Sequence, residues 1–557
     1  MDKVWLEHYQ KGVPHTIDAN EYESIVALFE ESCRKYSSQV AYVNLGSSIT
    51  YAELYKKSTQ FAIYLQQLGL KKGARVAIMM PNVLQYPIAL FGILKAGYVV
   101  VNTNPLYTSD EVIHQMNDSG AEAIIVLANF AKTVEKALPN TKIKHVVITQ
   151  IGDVFPFIKK TIVNAVVKYI KKMVPSYHIP HAIPFNQALQ QGESGHLEPA
   201  QLDHQSIAFL QYTGGTTGVA KGAILTHGNM VANVLQAYSW IAPLAIDGED
   251  IIVTALPLYH IFSLTANCLT FLKAGAKNIL ITNPRDIPHF ISEIKNSNFT
   301  AITGVNTLFN ALLNNPRFNE INFSKLKLAL SGGMALQKSV ALRWKDKTKT
   351  RVLEAYGLTE TSPAVTINPM YLEEYNGSIG LPLPSTEITI RDTMDKEVAP
   401  GQAGELCVKG PQVMAGYWQR PDETALVFTA DGFLKTGDIA RVDENGYVYL
   451  VDRKKDMIDV SGFNVYPNEV EQVISMHPGV LEVGVVGVID EDSGERVKAC
   501  IVKRDPNLTA EEIIAYCREH LTAYKIPKII EFYSELPKTN VGKVLRRALK
   551  TEEVSAA

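Results

Sequence analysis

The sequence has few cysteines and almost no net charge for its 557 residues. Its five cysteines are scattered without CxxC or zinc-type spacing, at Cys33, Cys268, Cys407, Cys500 and Cys517. This scatter argues against a disulfide framework and indicates a reducing compartment. A net charge of −3 gives no overall attraction to nucleic acid, so no nucleic-acid partner is expected.

Long hydrophobic runs are also missing. The amino-terminal stretch MDKVWLEHYQ has no apolar core of a signal peptide. The most apolar run, residues 87–101, is interrupted by glycines and a lysine and is too short to span a bilayer. We therefore expect a cytoplasmic protein, and its length of 557 residues predicts several subdomains rather than one core.

Strand patterns alternate with amphipathic helical patterns in the part of the chain before Glu387. Strands of parallel sheets covered by helices are predicted by ARVAIMM (74–80), AEAIIVL (121–127), DIIVTAL (250–256), FTAITGV (299–305) and KLALSGG (327–333). After Glu387 the strands are joined by short turns, which predicts a small antiparallel or barrel-like unit. The block from Asp456 onwards, about 100 residues long, predicts a small α+β domain with a helix near residues 509–521.

One segment combines lysines with apolar side chains. FIKKTIVNAVVKYIKKMVP, residues 157–175, has apolar residues at helical spacing, five lysines mostly between them and no acid. Such a basic amphipathic helix suits an anionic membrane surface. The alternative, which carries equal weight, is a helix docked on the core with a solvated lysine face.

The stretch YTGGTTGVAKGA, residues 212–223, is rich in glycine and threonine and follows an apolar run. This composition predicts a loop that binds phosphate. A P-loop would need glycine, lysine and then serine or threonine, whereas Ala220, Lys221 and Gly222 stand here. The sequence therefore argues against a kinase or P-loop ATPase and predicts another kind of nucleotide site.

Further motifs supply groups that a bound nucleotide needs. EAYGLTETSP (354–363) offers an aromatic side chain for the base and Glu360 for Mg²⁺. DGFLKTGDIA (431–440) offers Asp438 for ribose hydroxyls, and PKTNVGKVLRR (537–547) places Lys543 in a glycine turn. Each motif alone is weak evidence, because such residues usually serve packing, turns or solvation.

Together and in this order, these motifs resemble the adenylate-forming superfamily of acyl-CoA synthetases, luciferases and peptide-synthetase adenylation domains. The likeness spans nearly the whole chain. DGFLKTGDIA, VDRKKDMI and SGFNVYPNEVE are similar to the signature of bacterial long-chain fatty acid:CoA ligases, as are PLYHIF and NPRDIP. The resemblance implies an N-terminal adenylation domain over residues 1–454, made of parallel α/β subdomains and a β-barrel-like subdomain. It also implies a mobile α+β C-terminal domain over residues 455–557.

The resemblance further implies roles for individual residues. Contacts to ATP or AMP are expected from Thr213, Gly214, Gly215, Thr216, Thr217, Gly218, Lys221, Gly332, Gly333, Glu354, Ala355, Tyr356, Gly357, Thr359, Asp438, Arg453 and Lys543. Thr213 and Glu360 are expected around Mg²⁺, and with Lys543, the adenylation lysine, they form the expected catalytic set. Lys455 takes the hinge position, and His260 and Gly462 take positions that contact the acyl group or coenzyme A.

The implied reaction has two steps at one site. A fatty acid attacks ATP to give acyl-AMP and pyrophosphate, and the thiol of coenzyme A then displaces AMP, with the C-terminal domain exchanging between steps. The expected partners are ATP, a long-chain fatty acid, coenzyme A and the inner face of the cytoplasmic membrane, with a homodimer as an option. The alternatives are an acyl-AMP ligase, a ligase for medium-chain or aryl acids, and an inactive membrane-bound acyl binder.

Some positions depart from the family pattern. Phe433 stands where tryptophan is frequent, and Ala355 stands where glycine is frequent. Asp459 occupies an aliphatic position near the hinge, and Leu264 occupies the position of a tryptophan that gates the acyl tunnel in some members. None of these changes removes a charged group that the chemistry requires.

Overall fold

The structure is a computed structural model that describes residues 3–213, 220–461, 463–490, 494–539 and 542–550. The strands within these residues form two large, mostly parallel sheets of nine and eight strands and two smaller sheets of four and five strands. Helices cover the large sheets. This arrangement confirms the predicted α/β fold with a large N-terminal part and a small C-terminal part.

The nine-stranded sheet carries most of the predicted nucleotide residues. In spatial order its strands are Leu381–Pro382, Ala364–Ile367, Val352–Gly357, Leu328–Gly332, Ala301–Gly304, Ile251–Thr254, Lys277–Leu280, Val40–Asn44 and Ser47–Thr50. The central pairs are parallel, and the outer pairs at both edges are antiparallel. The predicted strands at residues 250–256, 299–305 and 327–333 are therefore confirmed.

The eight-stranded sheet carries the hairpin that holds the glycine-rich stretch. Its strands, in order, are Gly416–Tyr417, Lys221–Thr226, Ile207–Thr213, Val99–Asn102, Arg75–Met79, Ala123–Leu127, His145–Thr149 and Ile183–Pro184. The run from Ile207–Thr213 to Ile183–Pro184 is parallel, whereas the hairpin partner Lys221–Thr226 is antiparallel. The strands predicted at residues 74–80 and 121–127 are confirmed as well.

Helices connect the strands of both large sheets. The α-helices are Ile25–Lys35, Tyr51–Gln67, Gln85–Lys95, Ser109–Ser119, Ala131–Ala137, Phe157–Ala165, Phe185–Gly192, His227–Ile241, Ile261–Ser263, Phe271–Lys273, Ile287–Ile294, Asn306–Asn314, Lys338–Thr348 and Pro421–Val427. Wider turns continue two of them at Val166–Ile170 and Leu264–Thr270. Short 3₁₀ segments are Val4–His8, Ala128–Phe130, Leu138–Asn140, Pro316–Glu320, Thr359–Thr361 and Ala523–Lys525.

The two smaller sheets follow Glu387. The four-stranded antiparallel sheet consists of Glu387–Arg391, Gly404–Lys409, Leu434–Val442 and Val448–Arg453, and it is an open sheet. The C-terminal sheet consists of Phe463–Val465, Ile458–Val460, Gly494–Lys503 and Val480–Asp490, with Ile529–Tyr533 beside Gly494–Lys503. Its helices are Pro467–Ile474, Ala510–His520 and Arg546–Lys550, which confirms the helix predicted near residues 509–521.

The basic segment is shorter than the predicted helix over residues 157–175. It runs as a helix from Phe157 to Ala165, continues in wider turns and ends at Ile170. Lys172 has a φ of +51°, a left-handed conformation that a helix does not continue through. Among the described residues, no helix is long and apolar enough to cross a bilayer.

Candidate active site

A cavity of about 1770 Å³ opens where strands of the nine-stranded sheet end and the smaller sheets meet it. Ligand sites of open α/β sheets lie at the carboxyl ends of the strands in this way. The cavity brings together most of the predicted site residues: Thr213, His260, Gly332, Gly333, Glu354, Ala355, Tyr356, Gly357, Thr359, Glu360, Asp438, Arg453, Lys455 and Lys543. Gly214, Gly215, Thr216, Thr217, Gly218 and Gly462 lie outside the described residues.

Asp438 lies at the predicted ribose position. It faces Arg453 across an antiparallel pair of strands, and its Oδ1 lies 3.6 Å from Nε of Arg453. Its Oδ2 accepts a hydrogen bond of 2.6 Å from the hydroxyl of Tyr356. Burial raises the pKa of Asp438, and the charge of Arg453 opposes this rise. A carboxylate offers about four acceptor sites, so a carboxylate held by these two groups can still accept ribose hydroxyls.

Lys543 enters the same cavity from the C-terminal part of the chain. Its backbone N–H donates to Oγ1 of Thr539 at 3.1 Å, and Thr539 N–H donates to its carbonyl at 2.7 Å, so the two residues close a tight turn. The side chain passes over Gly333, where a Cβ would lie 3.6 Å from Cε of Lys543. Burial, with a smaller contribution from the charge of Arg453, lowers the pKa of Lys543 to about 8, and the charge of Asp438 opposes this shift.

Hydrogen bonds from one helix of the large N-terminal part hold the Lys543 turn in place. Thr307 Oγ1 donates to the carbonyl of Gly542 at 2.9 Å, and Asn310 Nδ2 donates to the carbonyl of Leu481 at 3.0 Å. Gly542 has a φ of +85°, and a Cβ there would lie 2.9 Å from Thr307 Oγ1. Backbone conformation and close approach both favour glycine at this position.

A chain of hydrogen bonds links the predicted adenine slot to the C-terminal part. Glu354 Oε1 accepts from Leu336 N–H at 3.0 Å, and the Leu336 carbonyl accepts from the Tyr375 hydroxyl at 3.0 Å. The same hydroxyl accepts from Nε2 of Gln472, on helix Pro467–Ile474, at 2.9 Å. Burial raises the pKa of Glu354 to about 8, so its carboxyl is largely protonated at neutral pH. The loop at Leu336 is thereby held from both parts of the molecule.

Glu360 and Thr213 line the cavity at the predicted phosphate position. Glu360 Oε1 accepts a hydrogen bond of 2.7 Å from the hydroxyl of Tyr417, and burial raises the pKa of Glu360. Thr213 ends its strand at the cavity wall. No group of three or more His, Cys, Asp or Glu side chains among the described residues could hold a metal ion. A cation here would therefore need ligands from the nucleotide as well.

Lys221, which was predicted to contact phosphate, does not line the cavity. Its Nζ forms an ion pair with Oε2 of Glu423 and lies 5.3 Å from the centre of the Tyr417 ring. Unlike Thr213, which faces it in the hairpin register, Lys221 does not line the cavity. Of this facing pair, the residue on the first strand of the hairpin therefore lines the cavity and the residue on the second does not.

One side of the cavity is apolar. Leu328, Leu330 and Gly332 follow one another on the same face of their strand, and all three line the cavity. Other residues that line this side come from helix His227–Ile241 and from the helical segment 261–273: Ala237, Ile241, Thr265, Ala266, Thr270 and Phe271. Leu264, at the position of the gate in some family members, is fully buried and does not line the cavity.

His260 lines the same cavity, near enough to Lys543 to be affected by its charge. Its Nδ1 accepts a hydrogen bond of 3.3 Å from Phe262 N–H at the start of the short helix Ile261–Ser263. Burial, with a smaller contribution from the charge of Lys543, lowers the pKa of His260 to about 4. The ring is therefore neutral at pH 7, and with Nδ1 accepting, Nε2 carries the proton.

Arg546 holds together both sides of the predicted hinge at Lys455. Its guanidinium lies 3.0 Å from Asp452 Oδ1 and 3.4 Å from Asp456 Oδ2, which stand on either side of Lys455. It also lies 2.9 Å from Oε1 of Glu471 on the C-terminal helix Pro467–Ile474. Lys455 itself lies at the edge of the cavity, where partial desolvation of its ammonium and the charge of Arg453 lower its pKa.

Several residues of this site were not predicted from the sequence, because their partners are distant along the chain. They are Thr307, Tyr375, Tyr417, Glu423, Gln472 and Arg546. Only Arg546 carried a signal, since it belongs to the lysine-containing motif PKTNVGKVLRR.

Comparison with known proteins agrees with this geometry. Residues 29–418 match the family described as AMP-binding enzyme, and residues 469–543 match the AMP-binding enzyme C-terminal domain. The chain therefore belongs to the AMP-binding enzyme family. A long-chain-fatty-acid--CoA ligase of Escherichia coli O6:H1 is 57% identical over 553 residues, which cover 99% of this chain and 98% of that protein. The protein of the same description from Haemophilus influenzae is 52% identical, covering 100% of this chain and 99% of its own.

Solved structures share the fold. The crystal structure of the anthranilate CoA ligase AuaEII in complex with anthranoyl-AMP has a TM-score of 0.85 at 25% identity, covering 96% of this chain and 98% of that one. A benzoate CoA ligase from Burkholderia xenovorans LB400 has a TM-score of 0.81 at 25% identity, covering 95% and 100%. The predicted adenylate-forming fold and the prediction of an AMP-forming acid–thiol ligase are confirmed.

Proposed function

We propose that this chain joins long-chain fatty acids to coenzyme A, converting ATP to AMP and pyrophosphate through an acyl adenylate. The observation that carries the proposal is the 52–57% identity to long-chain-fatty-acid--CoA ligases over nearly the full length of both chains. The cavity supports it, because an apolar face, the predicted nucleotide groups and Lys543 line the same cavity.

The chemistry of the first step requires positive charge. A carboxylate is a poor electrophile and gains a leaving group by attacking the α-phosphorus of ATP, which brings negative charges together. Lys543, whose ammonium enters the cavity near Asp438 and Arg453, is placed to offset this charge as it develops. Asp438 would hold the ribose, and Tyr356 and Glu354 would border the adenine.

Magnesium fits the phosphate side of the cavity. Mg²⁺ in nucleotide sites is held by one or two protein oxygens together with phosphates and water. Glu360 uses one carboxylate oxygen to accept from Tyr417, which leaves the other oxygen for a cation, and Thr213 adds a hydroxyl nearby. Bound with ATP, Mg²⁺ would neutralise charge on the phosphates.

The apolar face favours a long acyl chain. Leu328, Leu330 and Gly332 span roughly 13 Å of cavity wall, at ~3.3 Å per residue of strand. The six other residues named on this side carry no charge, and the hydroxyls of its two threonines, Thr265 and Thr270, donate to backbone carbonyls. An extended hydrocarbon tail would bury apolar surface along this wall, with its carboxylate near Lys543 and His260.

In the second step, the thiol of coenzyme A attacks the acyl carbonyl and AMP leaves. A thiol with a pKa near ~8.5 is partly ionised at neutral pH, so the step needs no strong base. While the contacts to its turn hold Lys543 in the cavity, its side chain occupies space in the site. We therefore propose that the C-terminal part rotates about Lys455 between the steps, which would exchange Lys543 for the segment around Gly462.

The basic segment supports binding at a membrane surface. Its outward face is apolar: Phe157 is 82% exposed and Ile170 is 74% exposed, with Ile158, Ile162, Tyr169 and Met173 also exposed. Val163 and Val167 pack inward against the core, and Lys159 donates to the carbonyl of Leu45. Lysines flank an exposed apolar stripe, which is the pattern of a helix that lies on anionic lipid. We propose that the segment docks the enzyme on the inner face of the cytoplasmic membrane, where fatty acids partition.

The test of the activity is CoA-dependent release of AMP from ATP across a series of acids. We expect palmitate to be a much better substrate than octanoate or an aryl acid. A clear preference for octanoate or an aryl acid would contradict the long-chain assignment. Acid-dependent pyrophosphate release that coenzyme A leaves unchanged would indicate an acyl-AMP ligase, and no release with any acid would indicate an inactive binder.

The membrane proposal has its own test. Lys168, Lys171 and Lys172 changed together to Glu should weaken binding to vesicles containing phosphatidylglycerol. Each basic residue near an anionic surface is worth about 1 kcal/mol, so charge reversal of all three should reduce binding by at least a hundredfold.

The matched control uses helix Lys338–Thr348, which also carries lysines but buries Val340, Ala341 and Trp344. Reversal of Lys338 and Lys347 on that helix should leave vesicle binding nearly unchanged. Equal effects of the two charge reversals, or no effect of the first, would contradict the proposal.

A further inference from the structure

Lys221 is held at the base of the glycine-rich hairpin by an acid from another part of the chain. It faces Thr213 in the antiparallel register, so these residues flank the loop between the two strands. Its ion-pair partner Glu423 lies on helix Pro421–Val427, and the two side chains are 37% and 36% exposed. The pair lies outside the cavity lining, whereas Thr213 is part of it.

The position of Glu423 does not depend on the loop. Arg420, at the start of the same helix, lies 2.5 Å from Asp118 Oδ1, and its Nε lies 3.6 Å from Oε1 of Glu423. The other oxygen of Asp118 accepts a hydrogen bond of 2.7 Å from the hydroxyl of Tyr212. The helix is thus fixed to the strand that enters the hairpin, and Glu423 is presented to the strand that leaves it.

Tyr417 stands between this ion pair and the cavity. Its ring centre lies 5.3 Å from Nζ of Lys221, and its hydroxyl donates to Glu360 on the phosphate side of the cavity. A lysine side chain at the Tyr417 ring therefore borders both Glu423 and the predicted phosphate position. A partly exposed ion pair is weak, whereas a triphosphate offers several charged oxygens to the same ammonium.

We propose that Glu423 holds Lys221 outside the cavity in the empty enzyme and that ATP phosphates compete with Glu423 for the lysine. Glu423 is then a positioning residue that lowers the affinity for ATP, because binding must break its ion pair. This inference rests on the proposed function, in which the glycine-rich loop binds the phosphates of ATP. It assigns to Glu423 a role that opposes binding, which a purely structural residue would not have.

The test is direct calorimetric binding of MgATP to the full chain without fatty acid, so that no adenylate forms. Glu423→Gln should lower the Kd for ATP by about two- to fivefold, the range that an exposed ion pair is worth. Lys221→Gln should raise the Kd. In the Lys221→Gln background, Glu423→Gln should have no further effect, because the competing pair is already absent.

Asp422→Asn is the matched control, since it removes the same charge from the preceding, exposed residue of the helix and should leave the Kd unchanged. An unchanged or higher Kd in Glu423→Gln would overturn the inference, as would an equal effect with and without Lys221. If the natural chain itself fails to bind ATP, the proposed function fails, and this is seen before any variant is measured.

Discussion

Two regions of the molecule bring a lysine to the proposed nucleotide site or to its border, and the two lysines differ in burial and in ion pairing. Lys543 is half-buried inside the cavity, where burial lowers its pKa to about 8. Lys221 is more than a third exposed and is ion-paired with Glu423 outside the cavity lining. Burying a lysine costs stability in its charged form, and such a cost is typical of a functional position. The comparison supports the proposal that Lys543 serves the chemistry, whereas Lys221 is held at the border of the site.

The two regions also differ in the contacts that position the lysine. Lys221 stands at the base of a local hairpin, where its backbone is fixed by the partner strand. Lys543 depends on contacts between distant parts of the chain, from Thr307 to Gly542 and from Gln472 to Tyr375. In the proposed rotation about Lys455, these contacts would break and Lys543 would leave the cavity.

The largest expected effect is on adenylation, and it should differ between substitutions of the two lysines. Lys543→Ala should reduce adenylation by ~10²–10³, as the loss of one group that stabilises transition-state charge does. Lys221→Ala should reduce it by only about tenfold, the size of one charged hydrogen bond to a phosphate. The measurement is palmitate-dependent exchange of pyrophosphate into ATP. A larger loss in Lys221→Ala would reverse the comparison.

The pH dependence of kcat/KM for ATP should depend on Lys543. Lys543 is charged below its pKa of about 8 and neutral above it, so kcat/KM for ATP should fall as pH rises through 8. The fall should approach about tenfold per pH unit, since kcat/KM reports the pKa of the free enzyme. Lys543→Arg keeps the charge and should remove the fall, whatever its absolute rate. The same fall in Lys543→Arg would show that another group titrates.

The smallest expected effect concerns the link that helps to dock Lys543. Tyr375→Phe removes the hydroxyl between Leu336 and Gln472 and should lower adenylation about fivefold, the equivalent of ~1 kcal/mol for one hydrogen bond. Thioester formation from supplied palmitoyl-AMP should be unchanged, because that step does not need Lys543 docked.

Tyr371→Phe is the matched control for this link. Among the described residues, the Tyr371 hydroxyl is hydrogen-bonded to two groups of the N-terminal part, the carbonyl of His8 and the hydroxyl of Tyr447. Its removal should leave both half-reactions unchanged. A loss of both half-reactions in Tyr375→Phe would instead indicate a general structural role for the hydroxyl.

The sequence was informative where function depends on short motifs. The strand ending in Gly332 was predicted within a residue, and Tyr356, Asp438 and Arg453, which come from separate motifs, lie together in one cavity. These residues are adjacent to turns and strand ends whose patterns are local. The large sheets were predictable for the same reason, because buried parallel strands leave continuous apolar runs.

Contacts between distant segments could not be predicted in the same way. The pairing of Lys221 with Glu423 and the link from Tyr375 to Gln472 depend on how separate helices are placed in the fold. The exposed face of the basic segment could not be predicted from the sequence either. Its periodicity predicted two faces, but only the packing of Val163 and Val167 fixes which face turns outward.

The most direct test of the central claim is pyrophosphate release from ATP with palmitate, measured with and without coenzyme A in the natural chain and in Lys543→Ala. We predict release that requires palmitate, increases with coenzyme A and collapses in Lys543→Ala. Release that persists in the variant at the natural rate, or that does not respond to coenzyme A, would contradict a two-step ligase that uses Lys543.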